Sequence, residues 1–188
     1  MREIELKSVV DDLASRRRAI ERRGATLVFE GRLEDRRYDT SDQALSARDE
    51  VLRLRTYRDD SGPRTSLDWK GPRTVEDGYR IREEISITAE PAETTEAILA
   101  NLGYVVVKAI DRRIAQYTLD GAIIRFEQYP RMDDLVEVEG DPTSIERAVA
   151  ALGIPRREFN ADALADFVER YEERTGGRAA VCDRDLDD

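Results

Sequence analysis

The sequence predicts an α+β chain in which about eight antiparallel strands form a closed or nearly closed barrel with helices packed outside. Three observations lead there. Segments with two-residue periodicity each carry one apolar face and one charged face. Helix-like stretches ended by Gly are interspersed among them. Turn sequences at residues 59–63 and 120–121 join neighbouring strand stretches into hairpins. Alternation alone also fits an open sheet with helices on one side and water on the other. Against that, the polar faces hold few Thr, Ser or Gln, and their charges segregate by strand, a pattern that suits a charged lumen.

Residues 3–7 set Ile4 and Leu6 against Glu3, Glu5 and Lys7. A helix over about 11–23 follows, with Asp11 as N-cap and Leu13, Arg17 and Ile20 on one face. Gly24 ends it, and residues 25–29 are the next strand. Residues 51–57 oppose Leu52 and Leu54 to Arg53, Arg55 and Tyr57, and residues 65–70 oppose Leu67 and Trp69 to Asp68 and Lys70. In 79–88, Ile81, Ile85 and Ile87 face away from Arg80, Arg82, Glu84 and Ser86. A helix over 94–102, ended by Gly103, leads to strands over 104–109 and 114–119. Residues 123–128 oppose Ile124 and Phe126 to Arg125 and Glu127; residues 135–139 oppose Val136 and Val138 to Glu137 and Glu139. Helices over 142–152 and about 161–174 close the pattern, the last with Leu164, Phe167, Val168 and Tyr171 on one stripe. The repeated strand–helix plan reads as an internal duplication. One domain is expected over 1–176, followed by an acidic, disordered tail over 177–188 in which Cys182 has no role.

Composition limits the chemistry. The chain has 188 residues, enough for one well-packed domain. It has no His and one Cys, which excludes His general bases, His-ligated zinc, serine-type triads and Cys metal clusters. Carboxylates, Lys, Tyr and backbone remain. Net charge is −10, which argues against a general nucleic-acid or anionic-membrane partner. No apolar run approaches the ~20 residues of a membrane helix. The charged start lacks a signal-peptide apolar stretch, so a cytoplasmic protein is expected. Of 31 basic residues only Lys7, Lys70 and Lys108 are lysines. A lumen carrying both signs can take a divalent cation on carboxylates and a polyanion on bases, as phosphoryl chemistry requires.

Residues 3–7, Glu-Ile-Glu-Leu-Lys, resemble the ExExK signature of the CYTH superfamily, the triphosphate tunnel metalloenzymes. Companions follow in order: Asp35-Arg36-Arg37-Tyr38-Asp39, Leu52-Arg53-Leu54-Arg55, Trp69-Lys70-Gly71-Pro72, Arg82-Glu83-Glu84 and Glu137-Val138-Glu139. The pattern is similar to the class IV adenylyl cyclase-like branch. The resemblance implies a tunnel with one or two Mg²⁺ or Mn²⁺ held by Glu3, Glu5, Glu127, Glu137 and Glu139, with Glu84 as an outer carboxylate. Lys7, Arg53, Arg55, Lys70, Arg82 and Arg112 would hold phosphates, with Lys7 and Lys70 in catalytic roles. Lys108 is an even choice between tunnel residue and surface stem. Three positions depart from the family pattern: Ile114 stands where a second base is expected, Glu127 where Asp is, and Arg37 where Tyr is.

The implied activity is a metal-dependent reaction of a triphosphate, ATP or similar: cyclisation to cyclic AMP and pyrophosphate. The alternatives are hydrolysis of thiamine triphosphate, tripolyphosphate or a nucleoside triphosphate, and nucleotide or polyphosphate binding without turnover. The sequence gives no oligomer signal, and the resemblance allows a homodimer.

Overall fold

The computed structural model describes residues 1–186 and shows a closed antiparallel barrel with helices outside. Among the described residues the strands are β1 (Arg2–Val9), β2 (Thr26–Asp39), β3 (Val51–Asp59), β4 (Gly62–Lys70), β5 (Thr74–Glu76), β6 (Tyr79–Thr88), β7 (Val105–Leu119), β8 (Ala122–Gln128) and β9 (Leu135–Glu139). The helices are α1 (Leu13–Glu21), α2 (Ala92–Asn101), α3 (Pro142–Leu152) and α4 (Leu164–Thr175). Strand order is β1-β9-β8-β7-β2-β3-β4-β6, and β6 pairs back onto β1 to close an eight-strand ring, with β5 added at an edge of β6. The order has the twofold logic of the expected duplication: β1 pairs with β9 as β6 pairs with β4, while β2 and β7 pair with each other.

Two elements are longer than the sequence pattern indicates. β2 runs on from Phe29 to Asp39 and β7 joins two expected strands, through register shifts between Leu27 and Phe29 and between Arg37 and Tyr38. A bulge inserts a residue and breaks strict alternation, which hides a continuous strand from a period-2 reading. α1 is capped by Asp12, whose carboxylate accepts from Ser15 N at 3.0 Å. Asp11 instead takes Arg16, at 2.7 and 2.8 Å. α3 follows the expected rules: Asp141 accepts from Thr143 N and Ser144 N, Pro142 opens the helix, and Gly153 closes it at φ 68°.

The apolar faces turn outward, and helices cover those of β1, β8 and β9 and part of β2 and β3, while Ile85 and Ile87 of β6 stay exposed. Leu6, Ile124, Val136 and Val138 pack with Ile20 of α1 and Ile145, Val149 and Leu152 of α3. A smaller cluster seats Leu99 of α2 on Tyr38 and Leu54. On α4 only Phe167 of the expected stripe is buried. Among the described residues no helix is long and apolar enough to cross a membrane.

The tail expected to be disordered is instead docked. Ala180 exchanges backbone hydrogen bonds with Arg131 at 2.8 and 3.1 Å, and Asp111 N donates to Val181 O at 2.8 Å. Cys182, given no role above, is buried, and its thiol donates to Asp111 Oδ2 at 2.8 Å. The acidic composition reads as disorder, but Ala179, Ala180 and Cys182 supply enough small apolar surface to seat the segment. Residues 187–188 of that tail lie outside the described residues. Truncation after Gly177 is expected to remove about 1–3 kcal/mol and to lower Tm by several degrees. An unchanged Tm in thermal denaturation would show that the docked segment adds no stability.

Candidate functional site in the barrel lumen

Direct cross-strand partners share a face, so register fixes what lines the lumen. Lys7 lies opposite Glu137, Glu5 opposite Glu139 and Arg80, and Glu3 opposite Arg82. Asp35 lies opposite Arg55, and Arg37 opposite both Arg53 and Lys108. These side chains surround a cavity of about 250 Å³. Its lining holds eleven basic and six acidic side chains, a surplus of five positive charges inside a chain of net charge −10. A groove of about 590 Å³ outside the barrel, between α1 and the β3–β4 turn, is larger, but several of its charges, such as Arg17 with Glu30, are already paired.

Of the residues expected to hold phosphate, all six line the cavity: Lys7, Arg53, Arg55, Lys70, Arg82 and Arg112. Of the expected metal ligands, Glu5, Glu127 and Glu137 line it, while Glu3, Glu139 and the outer carboxylate Glu84 do not. Lys108 lines it too, so it is a tunnel residue. Sequence reasoning passed over Asp35, Arg37, Arg80 and Arg125 as site residues, although Asp35 and Arg37 stand inside a motif segment and Arg80 and Arg125 lie on charged strand faces.

Most motif bases are compensated. Asp35 accepts from Arg55 at 2.7 and 2.9 Å and from Arg112 at 3.1 Å, with Arg53 at 3.7 Å. Burial works against this carboxylate, but Arg55, Arg53 and Arg112 outweigh it and hold Asp35 well below the usual range. Arg53 donates twice to Asp68, at 2.7 and 3.0 Å. Arg112 also donates to Glu127 at 2.8 Å, and Tyr129 Oη to the same carboxylate at 2.8 Å. Burial opposes ionisation of Glu127, yet Arg112 and Lys7 lower it. Glu127, longer than the expected Asp, thus holds Arg112 and Tyr129 in this structure.

Lys7 is hydrogen-bonded to Glu137, which also accepts from Arg125 at 2.5 Å. Burial disfavours the Lys7 ammonium, but Glu137 and Glu5 raise it, so it stays charged near neutral pH. Burial likewise opposes Glu137, whose value Lys7 and Arg125 hold well below the ordinary range. Lys70 donates to both oxygens of Glu3 at 2.6 Å. Glu5 and Glu139 fare differently. Burial and the neighbouring carboxylates Glu137 and Glu3 raise Glu5 despite Lys7. Burial, then Glu137, pushes Glu139 up to about 7.

Arg37 and Lys108 stand in contrast to the paired bases. Burial, then Arg53, pulls Arg37 down to about 10; burial, then Arg37, lowers Lys108. Ile114 replaces a base because it belongs to an apolar cluster with Phe29, Leu33 and Tyr57, beyond the cavity lining. Gly31 permits this packing: a Cβ there would meet the Phe29 ring at 2.9 Å and Arg58 O at 2.3 Å.

A divalent cation fits the donor chemistry. Glu3, Glu5, Glu137 and Glu139 offer hard oxygen donors from adjacent strands, and the raised Glu5 and Glu139 show carboxylate charge that the bases do not offset. Among the described residues no three carboxylates stand ready-gathered for a metal, since Lys7 and Lys70 occupy Glu137 and Glu3.

Solved structures share the fold. A candidate adenylate cyclase from Vibrio parahaemolyticus aligns over 89% of this chain and 97% of its own, with TM-score 0.75 at 18% identity. The PH1819 protein from Pyrococcus horikoshii aligns over 89% and 98%, with TM-score 0.71 at 20% identity. HpAC1 from Hippeastrum, a candidate adenylyl cyclase described as having a dominant triphosphatase activity, aligns over 93% and 96%, with TM-score 0.62 at 15% identity. At these identities the likeness speaks to fold alone. No curated protein matches the sequence. The family model for the CYTH domain matches residues 1–150, and with the closed, charged barrel around that span the chain belongs to the CYTH domain family.

Proposed function

We propose that the protein is a metal-dependent enzyme that binds a triphosphate in the barrel lumen and transfers or releases a phosphoryl group. The observation that carries this reading is the excess of basic over acidic side chains lining a cavity in an acidic protein, an excess that persists although Lys70 and Arg53 are paired with Glu3 and Asp68 behind the lining. A triphosphate brings about four negative charges, opposite in sign to that excess.

The chain's own residues supply the electrostatics. Arg53, Arg55 and Arg112 are held in place by Asp68, Asp35 and Glu127, so their remaining N–H groups are oriented before substrate arrives. Lys7 and Lys70 are the exchangeable bases: on binding, their ammonium groups turn from Glu137 and Glu3 to phosphoryl oxygens, which releases those carboxylates. Glu3, Glu5, Glu137 and Glu139 would then hold Mg²⁺ or Mn²⁺, which neutralises charge on the phosphoryl oxygens.

Hydrolysis is the reading the cavity favours. The one aromatic side chain in its lining is Tyr129, whose hydroxyl is bonded to Glu127 and whose ring faces Arg112, so no free ring is offered to stack a base. Cyclisation of ATP, the reaction that the motif resemblance over residues 3–7 and its companions implies, is the second reading. Incubation with Mn²⁺ and ATP, thiamine triphosphate or tripolyphosphate separates them: orthophosphate supports hydrolysis, cyclic AMP supports cyclisation, and absence of any turnover removes the enzymatic reading. Lys7→Arg is expected to lower kcat/KM about tenfold or more, because a planar fork cannot replace a compact ammonium between Glu137, Glu5 and substrate. Wild-type kcat/KM in that variant would remove Lys7 from the substrate site.

A further inference from the structure

The outer helix layer is complete over one half of the barrel and incomplete over the other. α3 follows β9 and packs against α1, β8, β9 and β1. In the twofold logic of the duplication, β4 corresponds to β9, β6 to β1, β3 to β8 and α2 to α1. A helix corresponding to α3 would therefore follow β4 and lie over β3, β4 and β6, beside α2. Residues 71–78 stand there instead and hold only the three-residue strand β5.

The sheet beneath records the difference. Leu6 of β1 and its partner Val138 of β9 pack with α3, and both are 0% exposed. Ile85 and Ile87 of β6 are 55% and 60% exposed, and their β4 partners Trp69 and Leu67 are only half-buried. Arg80 and Arg82 of the same strand line the cavity, so alternation turns Ile85 and Ile87 to the exterior.

The helix beside this bare face has an uncovered apolar stripe of its own. α2 seats Leu99 in a cluster with Tyr38, Leu54 and Leu67, and Leu67 is the cross-strand partner of Ile87. Ile98 and Leu102, one turn apart on the helix and its C-cap, are 54% and 67% exposed. These four side chains present roughly 400 Å² of apolar surface per copy, the size that marks an interaction site on a soluble protein. That is about half of the ~800 Å² per partner that a stable interface buries, before the surrounding rim is counted. One face lacks a helix and the adjacent helix lacks a cover, so a single twofold operation between copies satisfies both needs twice over.

We infer that the protein pairs with a second copy through this face. α2 of each protomer lies across β4 and β6 of its partner, beside the partner's own α2, and completes the layer that α3 completes on the other half.

Sedimentation equilibrium on the intact protein tests this. Wild type is expected to be a dimer at about 100 µM and to dissociate on dilution. Ile87→Glu and Ile98→Lys each put a charge into the apolar contact at an exposed position. Each is expected to weaken self-association about a hundredfold or more while keeping the wild-type circular dichroism and Tm. Mixed one to one, the two variants are expected to form a heterodimer of near wild-type affinity, because one half of the interface then pairs the opposite charges and the other half keeps Ile87 against Ile98. Val28→Glu, comparably exposed but at the far end of β2 from Tyr38, should leave the dimer unchanged. Should Ile87→Glu not fold, Ile85→Glu takes its place. A wild type that stays monomeric at about 100 µM overturns the second copy as occupant. A dimer that both folded variants leave intact overturns this face as the interface. Loss of the dimer in each variant without recovery on mixing overturns the seating of α2 on the partner's sheet.

Discussion

Asp35→Asn is expected to cost about 3–5 kcal/mol of folding stability, the range seen when one partner of a buried ion pair is removed. Asp35 is 1% exposed and is the shared acceptor of Arg55 and Arg112, with Arg53 close by. An amide leaves three buried guanidinium groups around a neutral side chain. Because the folded value lies below the ordinary 3.8, the stability Asp35 contributes is present above about pH 4 and is lost as pH falls through the folded value. The stability difference between wild type and variant, from urea denaturation, should therefore be full at pH 7 and shrink in acid. A variant as stable as wild type at pH 7 would show that the three arginines are compensated by other groups.

Glu139→Gln is expected to act in opposite directions on stability and activity. The folded Glu139 value of about 7 lies above the ordinary 4.5, so its ionised form is disfavoured by burial and by Glu137. That cost is absent below about pH 4.5, grows between 4.5 and 7, and is complete above 7, reaching roughly 2–3 kcal/mol. Without metal, the variant should match wild type near pH 4.5 and melt higher at pH 8. If Glu139 helps to hold a divalent cation, Mg²⁺ or Mn²⁺ should raise the Tm of wild type at pH 8 more than that of the variant, and metal-dependent turnover should fall about a hundredfold or more. Full activity in Glu139→Gln, or in Glu5→Gln, would remove the proposed metal site.

The barrel was legible because its lumen imposes charge on one face of every strand, so period-2 alternation in segments such as 51–57 and 135–139 records both the core and the cavity. What alternation could not show is where it breaks. The bulges in β2 concealed one strand of 14 residues, and the docking of Ala179–Cys182 depends on contacts with Asp111 and Arg131, far away in sequence. In the lumen, residue types were readable but partners were not. Glu127 reads as a metal ligand by motif and is held by Arg112 and Tyr129; Arg37 reads as a departure from pattern and proves to be an uncompensated base. Pairing is decided by which strands become neighbours, and the neighbours of β2 come from both halves of the chain.

All three lysines line one cavity, while the remaining 28 basic residues are arginines. To an amine-reactive reagent the exterior is therefore nearly silent. Apart from the terminal amine of Met1, which donates to Glu84 O at 2.6 Å, every primary amine of the protein belongs to the lumen. Covalent acylation becomes a selective chemical probe of that interior, read by mass on Lys7, Lys70 and Lys108. A ligand that fills the cavity would protect all three together, without any engineered label.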